Sequence, residues 1–493
     1  MKVVRGLWMA LALVLAAPAF AAKPNARGIT AWSQPNFTLY SHDSRKARDV
    51  AERMAIVEVV LTKLLRRERM PDGMPTHVFI ARESLWSRYI QPSQRIIGEF
   101  VPTRFSNYLL LNAYLSNEFL DETVDHESTH SFLRSFYVGQ IPAWYDEGVA
   151  ELIGASELLR KSITVGYPDV YRDVRWLPTE RLLGADKKSP EYLTLDTHLF
   201  HFQSWAFVHK AIIDDREFGR RMYAYLGAVG DGVPIESAVQ RSFGMSVAEL
   251  DDVLREYSRR DRYRVARMEF DSPPPAELGA GRAMSELEGL EFVARVMLDT
   301  GFNAKRLQEV IALAKQLAPT DPRVLLLELR MAIRDGDEAA VAALLKTLGP
   351  MTSEPVISRA AGIALFERVR EALTGDSPLQ GASLAEANLA FDMLDRAERT
   401  LPVDPEASWA YGILASGLGR ECAFALQRLE MARESMPRHA DLSMATALLH
   451  RRMAQPDAML VELRKTASFA RTAELRQWAR QRINAADARQ VSP

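Results

Sequence analysis

The sequence has little of three things that would point to common classes of function. A single cysteine, Cys422, among 493 residues excludes intrachain disulfides and any zinc site built from thiolates. Basic residues are not in excess, since 62 Lys and Arg stand against 64 Asp and Glu, so nucleic acid is not expected as a main partner. Only nine histidines are present, so a metal site must be built from a few of them together with carboxylates.

Long apolar runs are also scarce, and the most prominent one lies near the N-terminus. Lys2 and Arg5 precede an apolar run over residues 7–17, and residues 19–21 (Ala-Phe-Ala) form a cleavage site of the A-x-A type. This layout is typical of a secretory signal peptide, and the run is shorter than the roughly 20 residues that span a membrane. We predict a cleaved signal peptide over 1–21 and a periplasmic or secreted mature chain without a membrane span.

Strand and helix patterns alternate in the region that follows. The patterns predict short strands at 37–40, 76–81, 98–101 and 108–111, and helices at 43–65, 118–136 and 142–153. The apolar strand at 108–111 fits two interpretations equally well: an edge strand that pairs with an extended peptide, or a core strand. Helical patterns dominate from Gln203 onward.

The segment 271–281 contains three consecutive prolines and is the best linker in the chain. Beyond it, a short pattern with an alanine five residues before a proline occurs three times: Ala314 and Pro319, Ala397 and Pro402, Ala432 and Pro437. The last two copies are 35 residues apart, close to the roughly 34-residue period of tetratricopeptide repeats (TPR). We predict a TPR-like helical repeat over 282–493; the alternative is an ordinary helical domain with repeated helix ends.

An H-E-x-x-H motif lies within the predicted helix 118–136. His126 and His130 are four residues apart, so on a helix their imidazoles lie on one face and converge on one point. That spacing suits a zinc ion, and Glu127 between them can take a proton from a water molecule at the metal. The alternative is that both histidines only cap or pack the helix.

The next predicted helix carries a second acidic pair, Glu147 and Glu151, one turn apart. Glu147 would be the third ligand of a catalytic zinc. Glu151 would accept a hydrogen bond from the free ring N–H of a ligating histidine and so fix its tautomer. A solvated acidic face is the alternative. It fits poorly beside Trp144, Val149 and Leu152, because buried carboxylates need a cation or hydrogen-bond partners.

Together the two motifs resemble the gluzincin (peptidase MA) clan, which includes thermolysin and aminopeptidase N. The run Pro-Ala-Trp-Tyr-Asp-Glu-Gly-Val-Ala-Glu is most similar to a bacterial peptidase MA-like branch. The resemblance implies an α+β zincin-like catalytic domain over 22–270, the linker 271–281, and an all-α helical-repeat domain over 282–493. It also implies site roles: zinc ligation by His126, His130 and Glu147, general base catalysis by Glu127, and support of the ligands by Glu151.

The same clan usually adds a Tyr or His further along the chain that stabilises the tetrahedral oxyanion. His201 is our candidate for this role, with His198 and Tyr192 as alternatives. We therefore expect an exported zinc metallopeptidase that cleaves a peptide or protein substrate, with a protein partner on the C-terminal repeats. The competing hypothesis is a non-catalytic periplasmic scaffold that retains zinc for structure.

Overall fold

The computed structural model describes residues 26–66, 73–90, 98–113, 117–159, 162–168, 175–193, 197–270, 278–375 and 380–491. The strands are β1 Thr30–Ser33, β2 Thr38–Ser41, β3 Thr76–Ala81, β4 Gly98–Pro102, β5 Asn107–Asn112, β6 Glu157–Leu159, β7 Ser162–Val165, β8 Ala266–Glu269 and β9 Arg282–Ala283. The predicted signal peptide at 1–21 and the proline-rich part of the predicted linker at 271–277 lie outside the described residues.

The helices of the N-terminal half are α1 Ser44–Leu65, α2 Glu83–Leu85, α3 Asn117–Phe136, α4 Ala143–Gly154, α5 Thr179–Gly184, α6 Pro190–Leu193, α7 Thr197–His209, α8 Arg216–Gly230, α9 Ile235–Phe243 and α10 Val247–Ser258. Those of the C-terminal half are α11 Glu286–Thr300, α12 Ala304–Leu317, α13 Pro322–Asp335, α14 Glu338–Leu348, α15 Pro355–Thr374, α16 Gly381–Thr400, α17 Pro405–Leu418, α18 Cys422–Ser435, α19 Ala440–Arg452, α20 Pro456–Phe469 and α21 Ala473–Val491. Within the described ranges, no helix is long and apolar enough to cross a bilayer.

A six-stranded sheet in the order β4-β5-β3-β2-β1-β9 organises the N-terminal half. Strands β2, β3 and β5 are parallel, whereas β4, β1 and β9 pair antiparallel to their neighbours. Strand β5, which we considered as the peptide-binding edge, is paired on both sides, so the edge-strand interpretation of 108–111 is wrong. The edge next to it is β4, because nothing in the described sheet pairs with the other side of that strand.

Both faces of this sheet are covered, as expected for strands that are apolar on both sides. On one face, Val78, Ile80, Leu109 and Leu111 join a core with helices α1, α3 and α4. Asp43 begins α1 by accepting hydrogen bonds from two backbone N–H groups, which fixes where the helix starts. The α+β character of this half agrees with our prediction, and its assignment to the zincin fold stays a prediction.

Helix α4 packs against both α3 and α7, and these three helices carry the candidate site. Pro142 caps α4, where a missing N–H costs nothing. Gly148 on α4 allows an unusually close approach to α7: a Cβ there would lie 2.4 Å from the Ser204 carbonyl oxygen. The Glu-Gly pair in the second motif therefore reflects helix packing as well as chemistry.

A second, three-stranded antiparallel sheet in the order β6-β7-β8 lies beside these helices. Strand β8 is Ala266–Glu269, in a region for which the sequence patterns favour helices. The short strand β9, at the start of the predicted all-helical domain, pairs with β1. Strand β8 thus lies in the region where helical patterns dominate, and β9 corrects our prediction that 282–493 is all-α.

The other face of the large sheet is covered by helices from beyond the predicted linker. Phe79, Tyr108 and Leu110 of the sheet share one core with Phe292 and Val293 of α11 and with residues of α12 and α13. The segment 271–281 therefore does not separate two hydrophobic cores. The C-terminal half begins as a covering layer of the N-terminal sheet.

From α11 to α20 the helices form consecutive antiparallel pairs, and the first helices of successive pairs lie side by side. The alanines of the three Ala-x-x-x-x-Pro patterns occupy equivalent positions in these helix pairs. Each alanine is fully buried in the last turn of the second helix of a pair, α12, α16 or α18, and accepts the hydrogen bond that closes the helix. The helical-repeat architecture is therefore confirmed from α11 onward.

Candidate metal centre

Helix α3 brings the two histidines of the first motif together. The Nε2 atoms of His126 and His130 are 3.3 Å apart, and their rings are nearly perpendicular. This is the geometry that a spacing of four on a helix favours. The two imidazoles face a common point.

Helix α4 adds Glu147 to the same point. Its Oε2 atom is 3.5 Å from Nε2 of His126 and 3.5 Å from Nε2 of His130, and the residue is 1% exposed. A tetrahedral zinc with ligands at about 2.0–2.1 Å requires ligand atoms about 3.3–3.4 Å apart. The donor set therefore fits zinc in residue type and in spacing, and it is the one such cluster among the described residues.

In His130 and Glu147, hydrogen bonds hold the side-chain atom that faces away from the point where the three side chains meet. His130 donates its Nδ1–H to Asp146 at 2.9 Å, which leaves the Nε2 lone pair for the metal. Tyr192 donates its hydroxyl to Oε1 of Glu147 at 2.8 Å, which leaves Oε2 facing the histidines. Sequence reasoning missed Asp146, although its position directly before the ligand Glu147 was a usable signal.

Glu151 lies behind the ligands, one turn after Glu147. It accepts a hydrogen bond from Nδ1 of His201 at 2.7 Å, and the same oxygen is 3.6 Å from Nδ1 of His126. The carboxylate is therefore close to a ligating histidine, and its hydrogen bond goes to His201.

The structure brings two of the three oxyanion candidates to the centre. Nε2 of His201 is 3.8 Å from Oε2 of Glu147, and the His201 and His126 rings are parallel with centroids 6.1 Å apart. The hydroxyl of Tyr192 is occupied by its bond to Glu147. His198 lies one turn before His201 on α7 and is exposed.

Glu127 faces the edge strand β4. Its Oε2 atom accepts a hydrogen bond from the backbone N–H of Phe100 at 2.8 Å. The neighbouring Glu99 is partly buried, and burial together with the charge of Glu127 raises the pKa of Glu99 to about 7, against the opposing effect of Lys187. Two carboxylates therefore lie near one another where β4 passes the candidate metal site.

Lys187, in the loop before α6, supplies a positive charge that the sequence did not reveal. Its Nζ atom is 3.3 Å from Asp146 and 3.7 Å from Glu147, and its side chain is 42% exposed. No spacing rule connects this loop lysine to the motif. It lies at the site only because the loop folds over α4.

The electrostatics of the centre favour a cation. Burial alone would lower the pKa of His130, but Asp146 and Glu147 outweigh it and raise that pKa to about 10. Burial likewise opposes the charge of Glu147, yet His130 and His126 hold its pKa well below the ordinary value. Buried carboxylates thus create a strong negative potential at the point where the ligand atoms meet.

Comparison with known proteins gives only remote likenesses. No family model and no curated protein matches the chain. Solved structures with similarity include a thermophilic TPR protein of Thermus thermophilus, with 19% identity over 41% of this chain and 99% of that one and a TM-score of 0.30. PilW, a type IV pilus biogenesis factor, has 13% identity over 42% and 93% of the two chains and a TM-score of 0.31.

A tetratricopeptide repeat protein from Parabacteroides merdae is similarly distant, with 11% identity over 56% of this chain and 88% of that chain and a TM-score of 0.30. These likenesses are too weak to transfer an activity or a partner. The helical repeat of this chain rests on its own helix pairs.

Proposed function

We propose that this chain is an exported zinc metallopeptidase that hydrolyses peptide bonds. The observation that carries the proposal is the set of separations of 3.3, 3.5 and 3.5 Å among the ligand atoms of His126, His130 and Glu147. Three protein ligands leave a fourth position for water or substrate, as catalytic zinc requires. The neighbouring Glu127 supports catalysis over a purely structural site.

A zinc ion held by His126, His130 and Glu147 would supply Lewis acidity, polarising the scissile carbonyl and lowering the pKa of a water molecule. Glu127 would take the proton of the attacking water and pass it to the leaving amine. The hydrogen bond from the Phe100 N–H orients the Glu127 carboxylate for this work.

His201 would stabilise the oxyanion through Nε2. Its Nδ1–H is bonded to Glu151; although burial alone would lower the pKa of His201, this hydrogen bond and the charge of Glu147 raise it. A ring whose pKa is raised in this way, beside the proposed metal ligands, suits a donor to developing negative charge. Tyr192 suits this role less well, because its hydroxyl already orients Glu147.

A second candidate function is a periplasmic binding scaffold that keeps zinc for structure. The observation that favours it is the extent of the helical-repeat part, which runs from α11 to α21. Stacked helix pairs offer long surfaces for protein partners. Export itself is proposed from the predicted signal peptide at 1–21, and a peptide or protein remains the expected substrate or partner, with no role for nucleic acid.

The variant Glu127→Gln separates the two functions, because it removes the base and leaves the three ligands. For a peptidase, the variant retains about one zinc per chain by metal analysis and loses turnover of a peptide library. Glu122→Gln, an exposed position on the same helix, is the matched control and retains both. Equal turnover by wild type and Glu127→Gln, or no turnover by the zinc-loaded wild type, would favour the scaffold.

A further inference from the structure

The turn between β4 and β5, residues 103–106, is a compact projection from the edge of the sheet. The Thr103 N–H donates to the Ser106 carbonyl oxygen at 2.8 Å, and the Ser106 N–H donates to the Thr103 hydroxyl at 3.1 Å. The tip of the turn consists of Arg104 and Phe105. The turn is therefore closed by its own bonds and directly continues strand β4.

The apolar tip residue is buried among aromatic rings of the helical repeats. Phe105 is 6% exposed, stacks on His439 with centroids 4.5 Å apart, and lies 5.2 Å from the ring of Trp409. The guanidinium of Arg104 lies 4.5 Å from the same Trp409 ring. Phe105 therefore belongs to the core of the repeats and not to the core of the sheet.

Charged groups of the repeats hold the tip as well. Arg104 forms ion pairs with Glu367 at 3.2 Å and Asp441 at 3.4 Å, and Nε2 of His439 donates to the Arg104 carbonyl oxygen at 2.7 Å. These contacts come from α15, from α19 and from the residue that precedes α19, while Trp409 lies on α17. Helices α15, α17 and α19, which are the first helices of three successive pairs, thus meet at this one turn.

Strand β4, which directly precedes the turn, reaches the candidate metal centre. Phe100, four residues before Arg104, donates its N–H to Glu127 at 2.8 Å, and its ring stacks near that of His130 with centroids 6.4 Å apart. Strand β4 pairs with β5 alone among the described strands. The strand also packs against α3, and the turn at its C-terminal end is a further point that fixes its position.

We infer that Arg104 and Phe105 are positioning residues for Glu127 beside the candidate metal centre. The helical repeats hold the tip of the turn, the turn holds β4, and β4 holds the carboxylate of Glu127 in place. The inference rests on the proposed function for the catalytic role of Glu127. It also means that part of the repeat surface on which we expected a protein partner is occupied by this chain's own turn.

The test uses full-length protein with Arg104→Ala and Phe105→Ala. Arg104 has a side chain that is 34% exposed, so its replacement should leave the fold intact even if Phe105→Ala does not. The matched control is Arg420→Ala, because Arg420 lies 4.1 Å from the Phe391 ring and pairs with Asp392 at 2.8 Å, both within the repeats. Arg104→Lys, which keeps the positive charge, is the conservative variant.

Three quantities are measured: amide hydrogen exchange of strand β4, bound zinc, and kcat and KM on a peptide that the wild type cleaves. In both alanine variants we expect exchange in β4 to be at least about tenfold faster and kcat to fall about tenfold, with zinc content and KM little changed. Arg104→Lys should recover part of kcat, and Arg420→Ala should match the wild type in all three quantities.

Exchange in β4 that equals the wild type in Arg104→Ala and Phe105→Ala overturns the inference, whatever happens to turnover. Loss of zinc in these variants also overturns it, since the ligands would then depend on the turn more than Glu127 does. A wild type that cleaves no peptide refutes the peptidase proposal instead. In that case faster exchange in the alanine variants still supports the positioning of β4 by the repeats.

Discussion

At the residue scale, the candidate metal centre depends on which atom of each ligand is already engaged. Asp146 holds Nδ1 of His130 and Tyr192 holds Oε1 of Glu147, so only the inward atoms of these ligands remain for a metal. A carboxylate behind a histidine also makes the imidazole a stronger donor. If zinc binds as proposed, Asp146 should therefore contribute to metal affinity without contacting the metal.

This role predicts a graded loss of zinc. Asp146→Asn should remain folded and weaken zinc affinity about 10–100-fold, because the amide orients His130 without the negative charge. His130→Ala should lose most of the metal, since two ligands rarely hold zinc. Competition with a chromogenic chelator measures both. Asp252→Asn, at an exposed position on α10, is the control, and an Asp146→Asn protein with wild-type affinity would contradict the prediction.

The sequence predicts the centre as far as local helical geometry determines it. The His126 and His130 pair follows from spacing alone, and Glu147 lies in a motif of the next helix. The hydrogen bond of Asp146 depends on how α4 crosses α3, and the approach of Lys187 depends on a loop. Neither relation has a sequence period, so both required the three-dimensional structure.

At the element scale, the contact between α4 and α7 determines how the acidic pair meets His201. The two helices approach so closely at Gly148 that a Cβ would lie 2.4 Å from the Ser204 carbonyl oxygen and 2.5 Å from a methyl group of Val208. Backbone cannot move aside as a flexible side chain can. The helices must separate if this glycine is replaced.

Gly148→Ala should therefore destabilise the protein by about 1–3 kcal/mol and loosen zinc binding, because Glu147 is the adjacent residue. Gly227→Ala on α8 is the matched control: nothing lies within 4 Å of its added Cβ, and an alanine inside a helix should stabilise by about 0.5–1 kcal/mol. Urea unfolding measures both changes. Equal stabilities for the two variants would contradict the prediction, because they would mean that α4 and α7 leave room for a Cβ at Gly148.

Helices and strands with a clear hydrophobic period could be predicted from the sequence. Short strands that form by pairing with a distant segment could not. Helices α1, α3 and α4 and strands β2 to β5 agree with the predicted segments to within two residues at each end. Strand β8 was missed because its four residues find their partner, β7, about one hundred residues earlier in the chain. Such short strands carry too few residues for alternation to be visible.

At the scale of the whole molecule, the C-terminal helices contact the N-terminal half at several separate places. Helices α11 to α13 cover the back of the sheet, the turn 103–106 inserts between α15, α17 and α19, and α21 returns to the N-terminal half. At the last contact, Arg480 donates to the Asp231 carbonyl oxygen at 3.2 Å. The two halves therefore support each other over their length.

Glu406, in the first turn of α17, makes the stability of this arrangement depend on pH. Burial, with Asp299 and Asp404, raises the pKa of Glu406 from 4.5 to about 7, against the opposing charge of Arg330. The folded protein therefore keeps a proton that the unfolded chain releases above about pH 4.5. Its contribution is favourable at low pH and is lost as pH rises toward 7.

Glu406→Gln should consequently raise the free energy of unfolding by about 1–2 kcal/mol at pH 8 and change it little at pH 4.5. Urea unfolding at the two pH values measures the difference. Glu371→Gln, an exposed position on α15, is the control and should show no such dependence. A stabilisation by Glu406→Gln that is the same at both pH values would rule out titration of this carboxyl as the cause.

The last prediction concerns the linker at 271–281, which by sequence separates two independent domains. The shared core contradicts independence, because separation would expose Phe79 and Tyr108 on the sheet and Phe292 and Val293 on α11. Fully burying one such side chain is worth about 1.5–3 kcal/mol, so the four together are worth about 6–12 kcal/mol, comparable to the whole stability of a typical domain. Fragments 22–270 and 282–493 expressed together should therefore copurify through a tag on one of them, and each expressed alone should aggregate or unfold at low urea. Two fragments that unfold cooperatively on their own and do not bind each other would show that the covering layer is dispensable.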